Sequence, residues 1–421
     1  MRNSRQRIQY ISLRNIVYIL VYLCLLMTIP AQFGEVKNLI MGTLGNQTTV
    51  HTPVMIKVAK DFLFFLISIL LSIVVLRRKY LYTGQVIFLF FVLYIIIVAA
   101  YTSIYQNILI VICGFRWLAP VVLAFLFMGE VSKSRLGMLT SILYPVFCVH
   151  LILQLYQLFN SSLWYGSNIW GLTKRNPGLF LIPNSASFFV NCLLFLDLYH
   201  GKKTPRFNML VRCLMGISIF LTGSGTGVVV YILIMALYLL SKIKITQYSY
   251  YTVGAMVPVF LVLLWYFLPR IVGRATIITT SLYGRLNIFI ETFEDTGFIS
   301  DKFGLYTNTA VLLSKRFSFD TSPIIADSLI ASTLGNLGLI GACLVAVVLH
   351  LSLIRIILRE ERLEIFTYAI LFGLFSCTTI MTEAFPMNLI FSILTGYYLF
   401  HFGKKKSQCD CIGKQSIVSD E

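Results

Sequence analysis

Residues Val58–Lys79 have the sequence V-A-K-D-F-L-F-F-L-I-S-I-L-L-S-I-V-V-L-R-R-K, an apolar run that ends in consecutive basic residues. A helix needs about 20 apolar residues to cross a hydrocarbon core about 30 Å thick. Basic residues collect in the cytoplasmic loops of membrane proteins. This stretch therefore predicts both a membrane span and the side of the membrane on which the span ends.

The same pattern recurs along the chain. Hydrophobic residues make up 58% of the sequence and charged residues 12%, whereas a soluble domain carries about a quarter charged residues. Isolated strands are excluded because unpaired backbone groups are too costly in lipid. We predict one integral membrane domain over residues 1–421, an all-α polytopic transmembrane bundle of about 12 helices. The predicted helices are 14–32, 58–76, 85–104, 107–129, 137–158, 183–199, 207–222, 226–241, 249–268, 326–350, 365–382 and 386–402.

Basic residues mark every second predicted loop, which accounts for the net charge of +17 without a nucleic-acid partner. This positive-inside pattern places both termini, including the tail 403–421, in the cytoplasm. No cleavable signal peptide is evident. The sequence has no Walker loop, no H-E-x-x-H motif and no outward D-x-D site, so we predict no cofactor and no metal.

No long apolar segment occurs between Pro269 and Asp327, so we predict that residues 269–326 form a large extracytoplasmic loop. A first, shorter extracytoplasmic loop covers residues 159–182. Both loops carry basic residues on the side where positive charge is normally scarce. These are Lys174, Arg175, Arg270, Arg274, Arg285, Lys302, Lys315 and Arg316. We therefore look for the functional residues in these two loops.

The first candidate is Arg175, which begins the sequence R-N-P-G-L-F-L-I-P-N. Proline and glycine disfavour a regular helix, so we expect an extended segment at the outer membrane face, with a helix restarting at Pro183. Arg175 would then stand on a stiff element above Asn184, suited to bidentate binding of a phosphate or diphosphate. The alternative is an arginine that only reaches lipid phosphates.

The second candidate is Arg285, in a segment that predicts an amphipathic helix at the outer interface. The apolar residues of this segment follow a helical spacing: Leu286, Phe289, Ile290 and Phe293. Arg285 and Glu291 then face away from the apolar side. The alternative is a loop helix that packs on the bundle.

The third candidate is Asp327, at the start of the helix that follows the large loop. Near a sugar, its carboxylate would serve as general base toward an acceptor hydroxyl. A structural role competes, because the helix dipole favours an acidic residue in the first turn.

Two other features are candidates: a glycine-rich turn and an arginine within an apolar segment. Thr222–Gly227 predicts a tight outward turn, and backbone amides at the following helix start are also suited to phosphate. Arg116 lies inside a predicted helix, where a charge is functional by default. We expect Arg116 to pair with Asp61 or to line a cavity.

Four short motifs follow one another around the outward loops. They are R-N-P-G-L-F-L-I-P-N at Arg175–Asn184, L-T-G-S-G-T-G at Leu221–Gly227, G-R-L at Gly284–Leu286 and D-S-L-I-A-S-T-L-G-N-L-G-L-I-G at Asp327–Gly341. In order and topology they resemble the O-antigen and capsular repeat-unit polymerases and the related O-antigen ligases. The resemblance covers residues 85–400 and implies a membrane glycosyltransferase of the GT-C type.

The resemblance also implies a substrate and a mechanism. Such enzymes join undecaprenyl-diphosphate-linked oligosaccharides at the outer face of the bacterial cytoplasmic membrane, making O-antigen, capsule or exopolysaccharide. A chain-length regulator and a flippase are the implied partners. Arg175 and Arg285 would neutralise the leaving diphosphate, and Asp327, or otherwise Glu291 or Asp295, would orient or deprotonate the acceptor hydroxyl. Further substrate contacts are expected from Lys174, Asn184, Arg270, Arg274, Glu291 and Tyr283.

Two alternatives remain at this point. Ligases of this group carry a histidine near the start of the helix after the large loop, where this chain has A-D-S with Asp327, and that difference favours a polymerase. A transporter or a flippase of lipid-linked oligosaccharide would bury several charges in mid-helix. In this sequence the polar residues concentrate outside the apolar segments instead.

Overall fold

The structure is a computed structural model that describes residues 2–32, 54–78, 81, 83–160, 175–180, 182–201, 205–242, 275–314, 317, 319, 322–324, 326, 328–357 and 362–401. All elements in these residues are α-helices, so the predicted all-α class is confirmed for the described chain. The predicted helix at 249–268 and the tail 403–421 lie outside the described residues.

The described residues form fourteen helices, most of them close to predicted positions. They are α1 (Arg2–Leu26), α2 (Thr28–Ala31), α3 (Val54–Leu76), α4 (Thr83–Tyr105), α5 (Ile108–Phe127), α6 (Lys133–Phe159), α7 (Pro183–His200), α8 (Pro205–Thr222), α9 (Gly225–Lys242), α10 (Ala275–Glu294), α11 (Asn308–Ser314), α12 (Leu329–Ile357), α13 (Arg362–Ser376) and α14 (Met387–His401).

Several of these helices are apolar enough to belong in a membrane. Four are long enough to cross it by length and composition, over Val58–Leu76, Gln85–Tyr105, Ile108–Leu126 and Lys133–Phe159. Shorter apolar helices accompany them in the described chain, among them Met209–Thr222 and Gly225–Ser241. These helices support a polytopic membrane protein.

Helix α7 is the core of the bundle. Nearly all its residues are buried, and it contacts α6, α8, α9, α13 and α14. A helix that is apolar on all sides is expected in such a central position. The buried Asn191 amide donates to Ser187 O at 2.9 Å and to Gly227 O at 3.1 Å, which fixes α9 beside α7.

Charged side chains meet at one end of the bundle, which we call the basic end. Glu130, after α5, pairs there with Arg14 at 2.6 Å and with Arg78 after α3. Asp197 of α7 pairs with Arg212 of α8 at 2.5 Å. A buried carboxylate needs such partners, so these pairs fix how five helices meet at this end.

The described part of the large loop lies at the other end of the bundle, which we call the loop end. Thr102, near the end of α4, donates to Ser300 O at 3.3 Å. Asn308 N–H donates to Glu383, which follows α13, at 2.6 Å. The described connections between helices therefore sort into two groups, as the alternating basic loops predict. The side that faces the cytoplasm stays a prediction.

The large loop is partly helical and docks on α12. Gly338 interrupts α12 with a φ of 75°, and two backbone N–H groups beyond it leave the helical pattern. Leu339 N–H donates to Gly297 O at 3.2 Å, and Ile340 N–H donates to Phe298 O at 3.1 Å. The break in the helix thus provides the attachment point for residues 297–300.

The same face of α12 holds the next stretch of the loop. Asn336 Oδ1 accepts from Gly304 N–H at 2.8 Å and from Tyr306 N–H at 3.2 Å. The Ser332 hydroxyl donates to Tyr306 O at 2.6 Å. Much of the motif at Asp327–Gly341 therefore serves to pack the loop against α12.

Candidate functional site

Arg175 lies against the turn between α8 and α9. Gly223 in this turn has a φ of +65°, and a β-carbon there would lie 3.0 Å from Arg175 Cγ. Asn176 N–H donates to Leu221 O at 3.0 Å, which ties the two segments together by their backbones. The structure therefore joins the Arg175–Asn184 motif to the Leu221–Gly227 motif.

A second set of contacts joins the same motifs one turn further along. The Ser224 hydroxyl donates to Asn184 Oδ1 at 2.8 Å and accepts from Gly227 N–H at 3.2 Å. Asn184 Nδ2 donates to Thr378 O, beyond α13, at 3.4 Å. Asn184 thus positions two loops around Arg175, and the predicted start of its helix at Pro183 is confirmed. Its contact with substrate stays a prediction.

Buried polar residues of α6 hold the backbone that follows Arg175. Gln154 Nε2 donates to Asn176 O at 2.9 Å, and Gly178 N–H donates to Gln157 Oε1 at 2.7 Å. Leu179 N–H donates to His150 Nδ1 at 3.2 Å. Unpaired backbone groups are costly away from water, so these side chains hold the segment in one conformation. The segment is non-helical as predicted, but it is not extended throughout, because the chain turns at Gly178.

The sequence interpretation missed these three α6 residues. His150, Gln154 and Gln157 are spaced by four and then three residues within an apolar helix. That spacing places them on one helical face, and polar residues on one face of an apolar helix predict a buried polar partner. The signal was present, but their partner, the backbone of residues 176–179, has no signature in the sequence.

Helix α10 carries Arg285, Tyr283 and Glu291. Tyr283 and Glu291 are exposed, while Arg285 is half-buried. The Arg285 Nε is buried without a hydrogen-bond partner among the described residues. The main neighbour of α10 is α12. The described contacts therefore do not bring Arg285 to Arg175, Asn184 and the Thr222–Gly227 turn, which we call the Arg175 cluster. The predicted joint action of the two arginines stays a prediction.

The apolar side of α10 faces away from the bundle. Phe293 and Leu286 expose 55% and 51% of their surface, whereas Thr292 is buried. The predicted helix is present and its apolar stripe is uncovered, but α10 also contacts α12, as the alternative of a helix packed on the bundle requires. An uncovered stripe of this kind suits the membrane interface.

A cavity of about 240 Å³ lies beneath α10, lined by Glu291, Asp295 and Tyr306 among others. Asp295 pairs with Lys302 and accepts from the Tyr306 hydroxyl at 3.4 Å. Burial, and then the negative charge of Asp295, raise the pKa of Tyr306, so this hydroxyl stays protonated and acts as donor. Glu291 is thus the less engaged of the two carboxylates proposed as alternatives to Asp327.

The remaining predicted site residues lie outside the described residues. They are Lys174, Arg270, Arg274 and Asp327. Their roles stay predictions.

Arg116 meets the expectation for a charge inside a helix. Its guanidinium lies 3.3 Å from Asp61 of α3 and donates to the Thr309 hydroxyl of α11 at 3.3 Å. Arg116 also lines a cavity at the loop end. Both expected outcomes, the ion pair with Asp61 and the cavity, are therefore observed.

No protein-family model, no curated protein and no solved structure matches this chain. In the described part of the chain, no group of three His, Cys, Asp or Glu side chains is arranged to hold a metal ion.

Proposed function

We propose that this chain is a membrane glycosyltransferase that polymerises undecaprenyl-diphosphate-linked repeat units into surface polysaccharide. The observation that carries the proposal is the assembly of Arg175, Asn184 and the Thr222–Gly227 turn at the loop end. Two sequence features selected for phosphate chemistry, Arg175 and the turn, thereby meet beside Asn184, an expected substrate contact. They do so at the loop end, beside the described part of the large loop, which we predict to face outward.

The geometry around Arg175 suits a diphosphate leaving group. Gln154 and Gln157 fix the backbone beside Arg175, so the segment that carries this arginine is held in place before substrate arrives. The N-terminus of α9 lies next to it and adds the positive end of a helix dipole. A preorganised positive group stabilises developing charge without rearrangement during the reaction.

Arg285 supplies a second cation in this proposal. Its buried Nε has no partner among the described residues, and an unmet buried donor is costly. A diphosphate oxygen would supply the acceptor that this donor lacks. The uncovered apolar face of α10 would hold Arg285 at the depth of the lipid headgroups.

The reaction moves one glycosyl group. The bond between the anomeric carbon of the donor chain and its diphosphate oxygen breaks, and the lipid diphosphate leaves. A bond forms between that carbon and a hydroxyl oxygen of the acceptor repeat. The hydroxyl proton passes to a carboxylate, which we assign to Asp327, with Glu291 as the alternative.

The proposal includes the setting of the enzyme. The chain would form a GT-C-like bundle of about 12 spans in the bacterial cytoplasmic membrane, with both termini in the cytoplasm and the large loop outside. A flippase would deliver lipid-linked repeats, and a chain-length regulator would limit the product. Capsule, exopolysaccharide and O-antigen all fit this chemistry.

The test is deletion of the gene in its host, with gel analysis of lipid-linked and surface glycans. Complementing variants are Arg175→Ala, Arg285→Ala and Asp327→Asn, with Arg77→Ala as a control at the basic end. In the deletion strain, we expect single repeats to accumulate on the lipid carrier. The Arg175→Ala variant should lower chain formation on the order of 100-fold, and Arg77→Ala should restore it.

Two results would contradict the polymerase. Long chains that form but stay on the lipid carrier would indicate a ligase. Repeats trapped on the cytoplasmic side would indicate a flippase. Full rescue by Arg175→Ala would remove the proposed role of the Arg175 cluster.

A further inference from the structure

A separate cavity of about 190 Å³ lies at the loop end, between α3, α5, α11 and the start of α14. Its polar lining consists of Lys60, Asp61, Ser68, Arg116, Thr309, Thr382, Glu383 and Asn388. Pockets for drug-sized ligands measure about 300–1,000 Å³, so this cavity suits a smaller group. None of its residues belongs to the Arg175 cluster.

The polar groups of the cavity form one continuous network. Asp61 accepts from Arg116 at 3.3 Å, and Arg116 donates to the Thr309 hydroxyl at 3.3 Å. The Thr309 hydroxyl donates to Glu383 at 2.6 Å. Lys60 lies 3.4 Å from Asp61 on the other side. Donors and acceptors therefore alternate around the wall.

The charges of this network balance within the cavity. Lys60 and Arg116 carry two positive charges, and Asp61 and Glu383 carry two negative ones. An anion would place a third negative charge beside Asp61 and Glu383, which like-charge repulsion disfavours. A neutral ligand with several hydroxyl groups can donate and accept without disturbing that balance.

One buried group of the cavity lacks a partner. Thr382 is 2% exposed, and its hydroxyl has no hydrogen-bond partner among the described residues. Such a group costs about 1–3 kcal/mol in a folded protein, which a bound hydroxyl would recover. The rings of Phe64, Phe65 and Phe385 supply apolar walls beside it.

We infer that this cavity binds one neutral sugar ring through its hydroxyl groups. A sugar ring presents donors and acceptors at its edge and apolar C–H groups on its faces, as the lining requires. Assigning this ring to a lipid-linked repeat rests on the proposed function. The recognition of a neutral sugar rests only on the cavity.

The experiment uses the full chain in lipid nanodiscs and saturation-transfer NMR. The probes are methyl glycosides of glucose, galactose, rhamnose and N-acetylglucosamine, fragments of the host's surface polysaccharide released by mild acid, and inorganic pyrophosphate. Thr382→Val should weaken sugar binding about fivefold and leave thermal unfolding unchanged, since the hydroxyl has no described partner to lose. Asp61→Asn should weaken sugar binding about tenfold or more.

Thr379→Val is the matched control. Thr379 lies in the same loop, its hydroxyl is also buried without a described partner, and it does not line the cavity. Sugar binding should be unchanged in this variant.

The results separate this inference from the proposed function. No saturation transfer from any sugar, equal loss in Thr382→Val and Thr379→Val, or displacement of bound sugar by pyrophosphate would overturn the sugar site. Normal polysaccharide assembly without sugar binding would overturn this inference alone. Sugar binding that depends on Thr382, in a chain whose deletion leaves polysaccharide unchanged, would overturn only the proposed function.

Discussion

A β-carbon at Gly223 would lie 3.0 Å from Arg175 Cγ, so this glycine sets how closely the arginine lies against the α8–α9 turn. Gly223 also has a φ of +65°, a backbone conformation that side chains disfavour. The close approach of Arg175 and the left-handed backbone of the turn therefore both require glycine at this position. The position of Arg175 depends on both.

Gly223→Ala should disable the site without unfolding the protein. Strain in the left-handed region costs about 1–2 kcal/mol, and the new methyl group displaces Arg175. A contact of 3.0 Å requires Arg175 to move by a few tenths of an ångström. Misplacement of a reacting group by about 1 Å costs on the order of 100-fold in rate, so polysaccharide chain formation should fall, but by less than that factor. The measurement is glycan gel analysis of the complemented deletion strain.

Gly225→Ala is the control for this prediction. Gly225 lies two residues away, and a β-carbon there meets no atom within 4 Å. This variant should assemble chains at the normal level. Equal activity of the two variants would contradict the role given to Gly223.

Gly338→Ala should loosen the large loop. The φ at Gly338 is 75°, and a β-carbon there would lie 2.7 Å from Phe298 O. The substitution should therefore destabilise the docking of residues 297–300 by about 1–3 kcal/mol. Limited trypsin digestion, with cleavage after Lys302, would detect the change.

Gly373→Ala is the control for Gly338→Ala, because it replaces a helical glycine that has open space around it. A β-carbon at Gly373 in α13 meets no atom within 4 Å. Alanine is the better helix former by about 1 kcal/mol, so this variant should be neutral or more stable. Faster cleavage after Lys302 in both variants would argue against a local effect of Gly338.

Gln154 and Ser218 should be energetically coupled. The Ser218 hydroxyl donates to Gln154 Oε1 at 2.5 Å, and Gln154 Nε2 donates to Ser218 O at 3.1 Å. Gln154→Leu leaves buried groups unpaired and should cost about 1–3 kcal/mol of stability. Combined with Ser218→Ala, the two losses should be less than additive by about 0.5 kcal/mol or more. Thermal unfolding in detergent gives the four values, and strict additivity would refute the coupling.

The uncovered face of α10 should enter the lipid interface. Tryptophan at Phe293 should be quenched by lipids brominated on their acyl chains, because that side chain faces away from the bundle. Tryptophan at Glu291 should instead be quenched by aqueous iodide. The native tryptophans provide the baseline in the unsubstituted chain. Iodide quenching at both positions would place α10 in water.

The sequence predicted the features that depend on local pattern. Apolar runs located most helices, Pro183 located the start of α7, and helical spacing identified the amphipathic helix around Arg285. The Arg116–Asp61 pair was also predicted, because a charge inside an apolar segment needs a partner. Each of these follows from residues close together in the chain or from a single unfavourable charge.

Long-range backbone contacts were not predictable in this way. Gly338 interrupts α12, and the sequence predicted one regular helix there. Residues 377–382 were expected to continue α13, which ends at Ser376. The β-branched residues Thr378, Thr379 and Thr382 weaken a helix there. The Glu383 contact with Thr309 joins two loops that no pattern in the sequence relates.

The loop after α13 touches both candidate sites, at Thr378 beside Asn184 and at Glu383 beside Thr309. The chain between Thr378 and Glu383 extends at most about 18 Å between α-carbons. If a diphosphate binds beside Arg175 and a sugar ring binds in the cavity at Arg116, as proposed, this short connection limits the distance between them. An oligosaccharide that occupied both places would have to fit within that distance. The repeat unit that this chain selects would then be chosen by size as well as by the identity of its sugars.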